Sequence, residues 1–435
     1  MMRSLSLACL LFVALTGVAS AQLKIDITNG NPSATPIAVV PFGAETAGLP
    51  PETDVAAVIS ADFNRSGQFR GLPRQDIVEL PTRSADVKYP TWNVLKQDYL
   101  VVGRVLDAEG GAYRIEFELL DVAKQSALLR LAVGARPNDL RGAAHQIADL
   151  IYEKILNVRG AFWTRIAYIT STGTGQSRQY ALMVADSDGY NPQTVVRSRE
   201  PLLSPNWSPD GKRLAYVSFE RGNSSIYIQE ISTGSRQVVA SYKGINGAPA
   251  FSPDGSRLAM TLSMSGNPEI YVMDLASRRT TQITRHFSID TEAQWTPDGQ
   301  NLVFTSDRAG KPQLYQVPAS GGDPVRVTFS GEYNAKASLA FDGKRIAMAQ
   351  GGGNVYRIAV LDRSLGGSGE MRTLSPGNLD ESPSFAPNGS MILYAAREGS
   401  RGVLYAVSTN GAVRQRLVLA DGDVREPAWS PFRQR

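Results

Sequence analysis

Residues able to do acid, base or nucleophilic chemistry are sparse in this sequence, and their spacing sorts them. The two imidazoles, His145 and His286, stand 141 positions apart. A Ser-His-Asp arrangement therefore has little material, and a histidine-built metal site has too few ligands. The bland reading makes His145 a surface helix residue and His286 a loop residue. A serine hydrolase needs a Gly-x-Ser-x-Gly elbow; the nearest stretch, Gly366-Gly367-Ser368-Gly369-Glu370, ends in the wrong residue. Carboxylates on loops, Glu292, Asp380, Glu381 and Glu426, leave a carboxylate-pair glycosidase or lyase open, because sequence does not give their separations. No catalytic residue, metal ligand or cofactor is assigned, and the expectation is a protein that is not an enzyme.

The one thiol, Cys9, lies inside an apolar run from Leu5 to Val18, after Arg3 and before Ala19-Ser20-Ala21. That order reads as a signal peptide over residues 1–21, cleaved before Gln22. The run is shorter than the roughly 20 residues needed to span a bilayer, so the mature chain is expected to be exported, without a membrane span, and free of cysteine. Loss of Arg3 leaves a small positive balance and no block of five like charges. A nucleic-acid or anionic-membrane role gains no support from that pattern.

The elements that must hold any site are announced by a repeat. Pro205-Asn206-Trp207-Ser208-Pro209-Asp210-Gly211 recurs as Pro249-Ala250-Phe251-Ser252-Pro253-Asp254-Gly255 and as Ala293-Gln294-Trp295-Thr296-Pro297-Asp298-Gly299. Looser copies follow at 337–343 and 383–389. Successive Asp or Asn positions, 210, 254, 298, 342 and 388, are 44 residues apart and once 46. In Ser-Pro-Asp-Gly, proline takes the second turn position, where its fixed φ suits a type I turn, and glycine the fourth. Strands such as Arg213 to Ser218, Ile226 to Gln229 and Arg236 to Ala240 complete four-stranded units, which are propeller blades. Met183, Tyr227, Tyr271, Tyr315, Ala359 and Tyr405 mark six equivalent third strands. The first unit, near Phe162, lacks its innermost strand, and Glu426 to Pro431 supplies it. The ring is expected to close through the carboxyl terminus, which removes exposed sheet edges. The fold expected is an all-β six-bladed β-propeller over 159–435 with an N-terminal mixed α/β domain over 37–158.

The recurring Trp, Phe and Tyr residues are expected to pack blade against blade rather than stack on a ligand. Recognition is expected in loops before each innermost strand, at Ser204, Ala248, Glu292, Lys336, Ser382 and Glu426, which differ from blade to blade; ordinary solvated loops are the alternative. In the amino-terminal domain, Ile37 to Val40, Tyr99 to Val105, Tyr113 to Leu119 and Ala127 to Val133 read as strands. Glu52 to Arg65 and Asp139 to Leu156 read as helices, the latter capped by Asn138 or Asp139, with Leu140, Ala144, Ile147, Ile151 and Ile155 on one stripe. The link Asn157 to Ala161 is short, so the two domains should touch. Residues 22–36 form an extended leading segment. Leu23, Ile25 and Ile27 alternate in it, and a turn at Asn29-Gly30-Asn31-Pro32 lets it pair with its own domain's sheet or with a partner's edge.

Several phrases together resemble one family. They are Pro36-Ile37-Ala38-Val39-Val40-Pro41-Phe42, Asn246-Gly247-Ala248-Pro249-Ala250-Phe251-Ser252-Pro253-Asp254-Gly255 and Ile270-Tyr271-Val272-Met273-Asp274-Leu275-Ala276-Ser277. With the leader, the α/β domain and the closing strand, the chain resembles the TolB family, periplasmic propeller proteins of the Tol-Pal cell-envelope system. The resemblance implies a non-enzymatic periplasmic linker between TolA and the peptidoglycan-associated lipoprotein Pal, supporting outer-membrane integrity and constriction during cell division. It implies a TolA-binding segment at Gln22, Leu23, Lys24, Ile25, Asp26, Ile27 and Thr28, extending to Phe42. It implies a Pal-binding mouth at Asn246, Ala248, Thr291 and Glu292. Ile245 departs from the family pattern, which places a histidine there. A monomer is expected before the complex forms. The alternatives are a propeller enzyme acting on envelope polysaccharide or peptide, and a propeller holding a cation or small molecule in its channel.

Overall fold

The computed structural model describes residues 25–26, 33–417, 419 and 422–434. In the amino-terminal part, β2 (Thr35–Val39) lies parallel between β4 (Phe69–Gly71) and β5 (Tyr99–Asp107). β6 (Tyr113–Asp121) and β7 (Ser126–Ala135) extend the sheet antiparallel, and the short β3 (Gly43–Glu45) pairs with β5. Helices α1 (Val55–Ser66) and α3 (Leu140–Leu156) cover one face, burying Leu140, Ala144, Ile147 and Ile151 against Ile37, Val101 and Phe117. Asp54 caps α1 by accepting from Ala57 N at 3.0 Å, whereas Asp139 makes no side-chain cap on α3. The short α2 (Tyr89–Val94), unexpected from sequence because it spans less than two turns, puts Trp92 on the opposite face beside Val40, Leu100 and Val102.

Six blades follow, each a twisted antiparallel sheet. Their third strands align as expected: Tyr168 faces Met183, Tyr216 faces Tyr227, and Tyr394 faces Tyr405. The innermost strands are Leu202–Trp207, Asn246–Phe251, Asp290–Trp295, Tyr333–Leu339 and Glu381–Phe385 for blades 2 to 6. Blade 1 takes its innermost strand, Asp423–Trp429, from the end of the chain; it pairs antiparallel with Arg165–Thr172, Trp429 opposite Ile166. The repeated indoles bridge blades: Trp207 Nε1 donates to Ala428 O and Trp295 Nε1 to Ala250 O, each at 3.0 Å. They are core residues.

Two expectations need correction. Within the chain, the leading strand does not join its own domain's sheet: β1 (Ile25–Asp26) adds to the outer strand Arg414–Arg416 of blade 6, with Ile25 opposite Gln415 and Asp26 opposite Arg414. The route explains it, because Thr35 N bonds Gln68 O and the neighbouring Gly67 packs on Val413, so the chain enters its domain alongside that open blade edge. Second, His145 is not a surface residue but is 1 % exposed at the junction of the two domains.

That junction is a buried charge cluster. His145 Nδ1 lies 2.6 Å from Asp62 Oδ2, Arg65 donates to Asp62 at 2.9 Å and to Ser187 Oγ at 2.8 Å, and Arg141 pairs with Asp188. Asp149 accepts from Phe162 N and Trp163 N at 2.7 and 3.2 Å. Burial pushes the Asp149 carboxyl up to about 6. Burial likewise disfavours ionised Asp188, but His145, Arg65 and Arg141 outweigh it and hold that carboxyl well below the usual range. Burial opposes the charge on His145 too, yet Asp62 beside it leaves the imidazole raised.

Candidate functional site: the propeller mouth

The central channel is built from one irregularity repeated six times. In each innermost strand the register slips, as between Leu203 and Asn206 or between Thr291 and Gln294. The residue at the slip has left-handed backbone: Ser204 (φ 51°), Ala248 (46°), Glu292 (58°), Lys336 (58°), Ser382 (56°) and Glu426 (50°). Non-glycine residues seldom adopt this region, so six equivalent cases are a built feature, a bulge that turns one side chain per blade into the channel. These are the six positions expected in loops. They lie instead within the strands, and they line a central cavity of about 100 Å³.

The bulges leave backbone N–H groups needing partners, and neighbouring blades supply them. Thr261 Oγ1 accepts from Glu292 N at 3.2 Å, Thr305 Oγ1 from Lys336 N at 3.0 Å, and the Glu426 carboxylate from Ser204 N at 2.6 Å. Lys336 Nζ donates to Ser382 Oγ at 2.7 Å and lies 3.8 Å from Glu426. Burial disfavours its charge, but Glu426, Glu292 and Glu381 together raise its pKa above the ordinary lysine value. The ammonium thus stays charged among carboxylates, and Glu292 also accepts from Thr305 Oγ1 at 3.3 Å. Carboxylates tied up this way serve structure and surface charge. Among the described residues no group of three or more His, Cys, Asp or Glu side chains is placed to hold a metal ion.

The proposed contact residues separate into two kinds. Ala248, Thr291 and Glu292 are partly exposed at the channel. Asn246 is fully buried and acts one step back. Its side chain accepts from Tyr242 N at 2.8 Å and donates to Tyr242 O and Gly244 O at 2.7 and 3.2 Å, which fixes the loop that presents Ile245. Around these residues lies an exposed apolar rim, Ile245, Met264, Phe287 and Ile289, with Phe287 87 % exposed. Hydrophobicity scattered over loops left no period, so sequence reading missed the rim. Of the expected TolA-binding residues only Ile25 and Asp26 are described; Gln22, Leu23, Lys24, Ile27 and Thr28 lie outside the described residues. Phe42 lies over Gly103, where a Cβ would come within 2.5 Å of its ring.

These features define a class, a closed six-bladed β-propeller joined to an α/β domain, with exposed apolar side chains on blades 3 and 4 beside a channel of paired charges. Comparison with known proteins narrows the class. Residues 152–433 match the TolB beta propeller domain and residues 23–128 the TolB amino-terminal domain. The chain is 70% identical over 433 residues, 99% of its length and 98% of theirs, to the Tol-Pal system proteins TolB of Xanthomonas oryzae pv. oryzae and Xanthomonas euvesicatoria pv. vesicatoria. The crystal structure of TolB from Acinetobacter baumannii superposes with a TM-score of 0.85 at 41% identity, covering 94% of this chain and all of that one. The chain belongs to the TolB family of the Tol-Pal system and is a non-enzymatic member of the cell envelope. Among the described residues no helix is long and apolar enough to cross a membrane.

Proposed function

We propose that this protein links two partners in the periplasm: TolA, engaged by the leading segment Gln22 to Thr28, and the lipoprotein Pal, docked on the mouth at Ala248, Thr291 and Glu292, with Asn246 shaping the loop beneath it. Through that link it supports outer-membrane integrity and constriction at division. The observation that carries the reading is the apolar rim. Four large side chains exposed beside three of the residues named from the family pattern form a desolvatable patch, the kind of surface that marks a protein interface. The leading segment fits its role because its described residues, Ile25 and Asp26, pair as an added strand on the outer edge of blade 6, a place that a partner's strand can compete for.

Calorimetry with purified Pal and the TolA carboxyl-terminal domain tests it. Phe287→Asp or Glu292→Arg should weaken Pal at least about tenfold by placing an unmatched charge in the interface, while leaving TolA binding unchanged. Unchanged Pal affinity in both variants overturns the mouth assignment, and equal loss of both partners points to misfolding.

A further inference from the structure

Four buried polar residues recur at one position, just before or at the start of the innermost strands: Asn246, Asp290, Asn334 and Asp380. Three are fully engaged. Asn246 holds its own loop, both oxygens of Asp290 accept from Arg308 at 3.0 and 2.7 Å, and Asn334 bonds Gln313, Ser330 and Gln350. Asp380 is the exception. It is 1 % exposed, and its Oδ2 accepts from Gly377 N at 3.0 Å while Oδ1 has no partner among the described residues. Burial raises its pKa against the pull of Ser375 and Arg414. Beside this buried residue lies a cavity of about 370 Å³, and the neighbouring Glu381 carboxylate is the acceptor exposed at its inner end.

The cavity opens on the mouth face beside blades 5 and 6, away from Ala248 and Glu292 in blades 3 and 4. Its apolar wall is Leu379 with Tyr333 and Tyr356, whose rings meet at 73° with centroids 5.0 Å apart. Rings crossed at that angle form a corner, which admits a compact side chain; they do not offer the flat platform a sugar ring stacks on. At Arg397 and Arg425 the cavity joins a wider cleft of about 740 Å³ between blades 6 and 1, lined also by Arg178 and Arg401. Arg401 donates to Gly422 O at 2.9 Å and Arg425 to Asp423 at 2.8 Å, which fixes their direction. The exposed guanidinium groups of Arg178 and Arg397 have no hydrogen-bond or ion-pair partner among the described residues. Among the described residues the cleft carries these four arginines and Asp423, with Arg178 and Arg397 left over as unpaired charges, while Asp380 and Glu381 sit at the inner end.

Charge is therefore segregated along one groove: an acceptor at the inner end, an apolar corner beside it, and forks that suit carboxylates at the outer end. We propose that this seam binds an extended acidic peptide segment of a partner protein, with an N–H donor on Glu381, an aliphatic side chain between Tyr333 and Tyr356, and carboxylates on Arg178 and Arg397. A peptide supplies all three chemistries in order. Inorganic phosphate supplies no apolar group, and a uronate chain presents broad pyranose faces that suit a flat aromatic platform better than a corner. The inference does not rest on the Pal assignment, whose residues lie across the mouth.

The test is fluorescence anisotropy of the full mature protein with a fluorescein-labelled peptide, Glu-Asp-Leu-Glu-Asp-Glu, at one fixed salt concentration. Arg178→Glu with Arg397→Glu should weaken binding about tenfold or more. The neutral peptide Gln-Asn-Leu-Gln-Asn-Gln should bind far more weakly, and replacing the peptide's leucine by glycine should cost several-fold. Both arginines are exposed and unpartnered, so the melting temperature should not move. Pal affinity measured on the same variant should stay unchanged. Equal binding by the charge-reversed protein, or by the neutral peptide, overturns the proposal. Displacement of the peptide by polygalacturonate or inorganic phosphate at lower concentration than by unlabelled peptide makes the seam a glycan or phosphate site and overturns it too. A parallel fall in Pal affinity makes the seam part of the Pal interface and overturns its independence.

Discussion

Trp429→Ala tests whether the carboxyl-terminal strand closes a load-sharing ring or merely rests against it. Trp429 is buried among Ile166, Tyr168 and Leu393, its Nε1 donates to Thr164 Oγ1 at 2.8 Å, and its backbone N–H reaches Ser384 Oγ of blade 6 at 2.8 Å. Deleting a buried indole costs about 3 to 5 kcal/mol through lost transfer energy and the cavity left behind. Losing the indole bond to Thr164 adds about 1 kcal/mol; that hydroxyl keeps a second partner in Ala161 O, so no orphan donor is created. The expected destabilisation is about 4 to 6 kcal/mol, a large share of the 5 to 15 kcal/mol a domain usually holds. Trp429→Phe, which keeps most of the burial, should cost about 1 to 2 kcal/mol. Urea unfolding followed by far-UV circular dichroism measures both, with Trp207→Ala as the reference for a blade inside the ring. If closure is real, Trp429→Ala costs at least as much as Trp207→Ala. A cost below about 1 kcal/mol, as for a frayed terminal strand, refutes the reasoning.

The domain junction should be firmest in mildly acidic solution. Depressed Asp188 contributes stability present above its ordinary value of 3.8 and lost as pH falls below it, and raised His145 contributes stability present below 6.5 and lost as pH rises through its folded value. Asp149, raised from 3.8 to about 6, acts oppositely to Asp188 and costs on the order of 2 to 3 kcal/mol above that value. Amide exchange across α1 and α3 should therefore be slowest between about pH 4 and pH 6 after correction for intrinsic rates, and a flat profile from acid to pH 8 contradicts the assignment. Ala248→Gly, which relieves a left-handed alanine at φ 46°, should raise stability by about 0.5 to 1 kcal/mol; a loss measured by urea unfolding would show the bulge holds no strain. Removing Glu426 to Arg435 should expose the edge of Arg165–Thr172 and lower the melting temperature, and an unchanged melt with a monomeric sedimentation profile would sink the closure.

Most of the propeller was legible because each blade repeats the same problem. A Ser-Pro-Asp-Gly turn every 44 residues fixes where strands begin, and the aromatic positions that pack blade on blade must recur with it. The six channel residues were found by the same count, although a period cannot show that the backbone there is left-handed; bulges arise from ring geometry that no local propensity encodes. Single-copy contacts were not legible. His145 looks like any polar helix residue until Asp62, Arg65 and Asp188 surround it from α1 and a blade 1 hairpin. Asn246 was singled out through the family resemblance, and its full burial and its bonds to Tyr242 and Gly244 could not be read from the sequence. The alternation at Leu23, Ile25 and Ile27 announces a strand, but which edge receives it depends on where the chain enters its domain.

The two proposed partner sites should be linked, because β1 adds to the edge of blade 6 and its release to TolA would alter the propeller that is proposed to hold Pal. The most direct measurement is a titration of Pal into the intact protein and into one lacking Gln22 to Thr28, at one salt concentration, with the reciprocal TolA titrations in the presence and absence of Pal. The account predicts that the deletion abolishes TolA binding and shifts Pal affinity, and that Pal changes TolA affinity by the same factor as TolA changes Pal affinity, a coupling of about 1 to 3 kcal/mol. Identical Pal affinities for the two proteins, with TolA indifferent to Pal, would contradict it and leave two independent sites on a rigid frame.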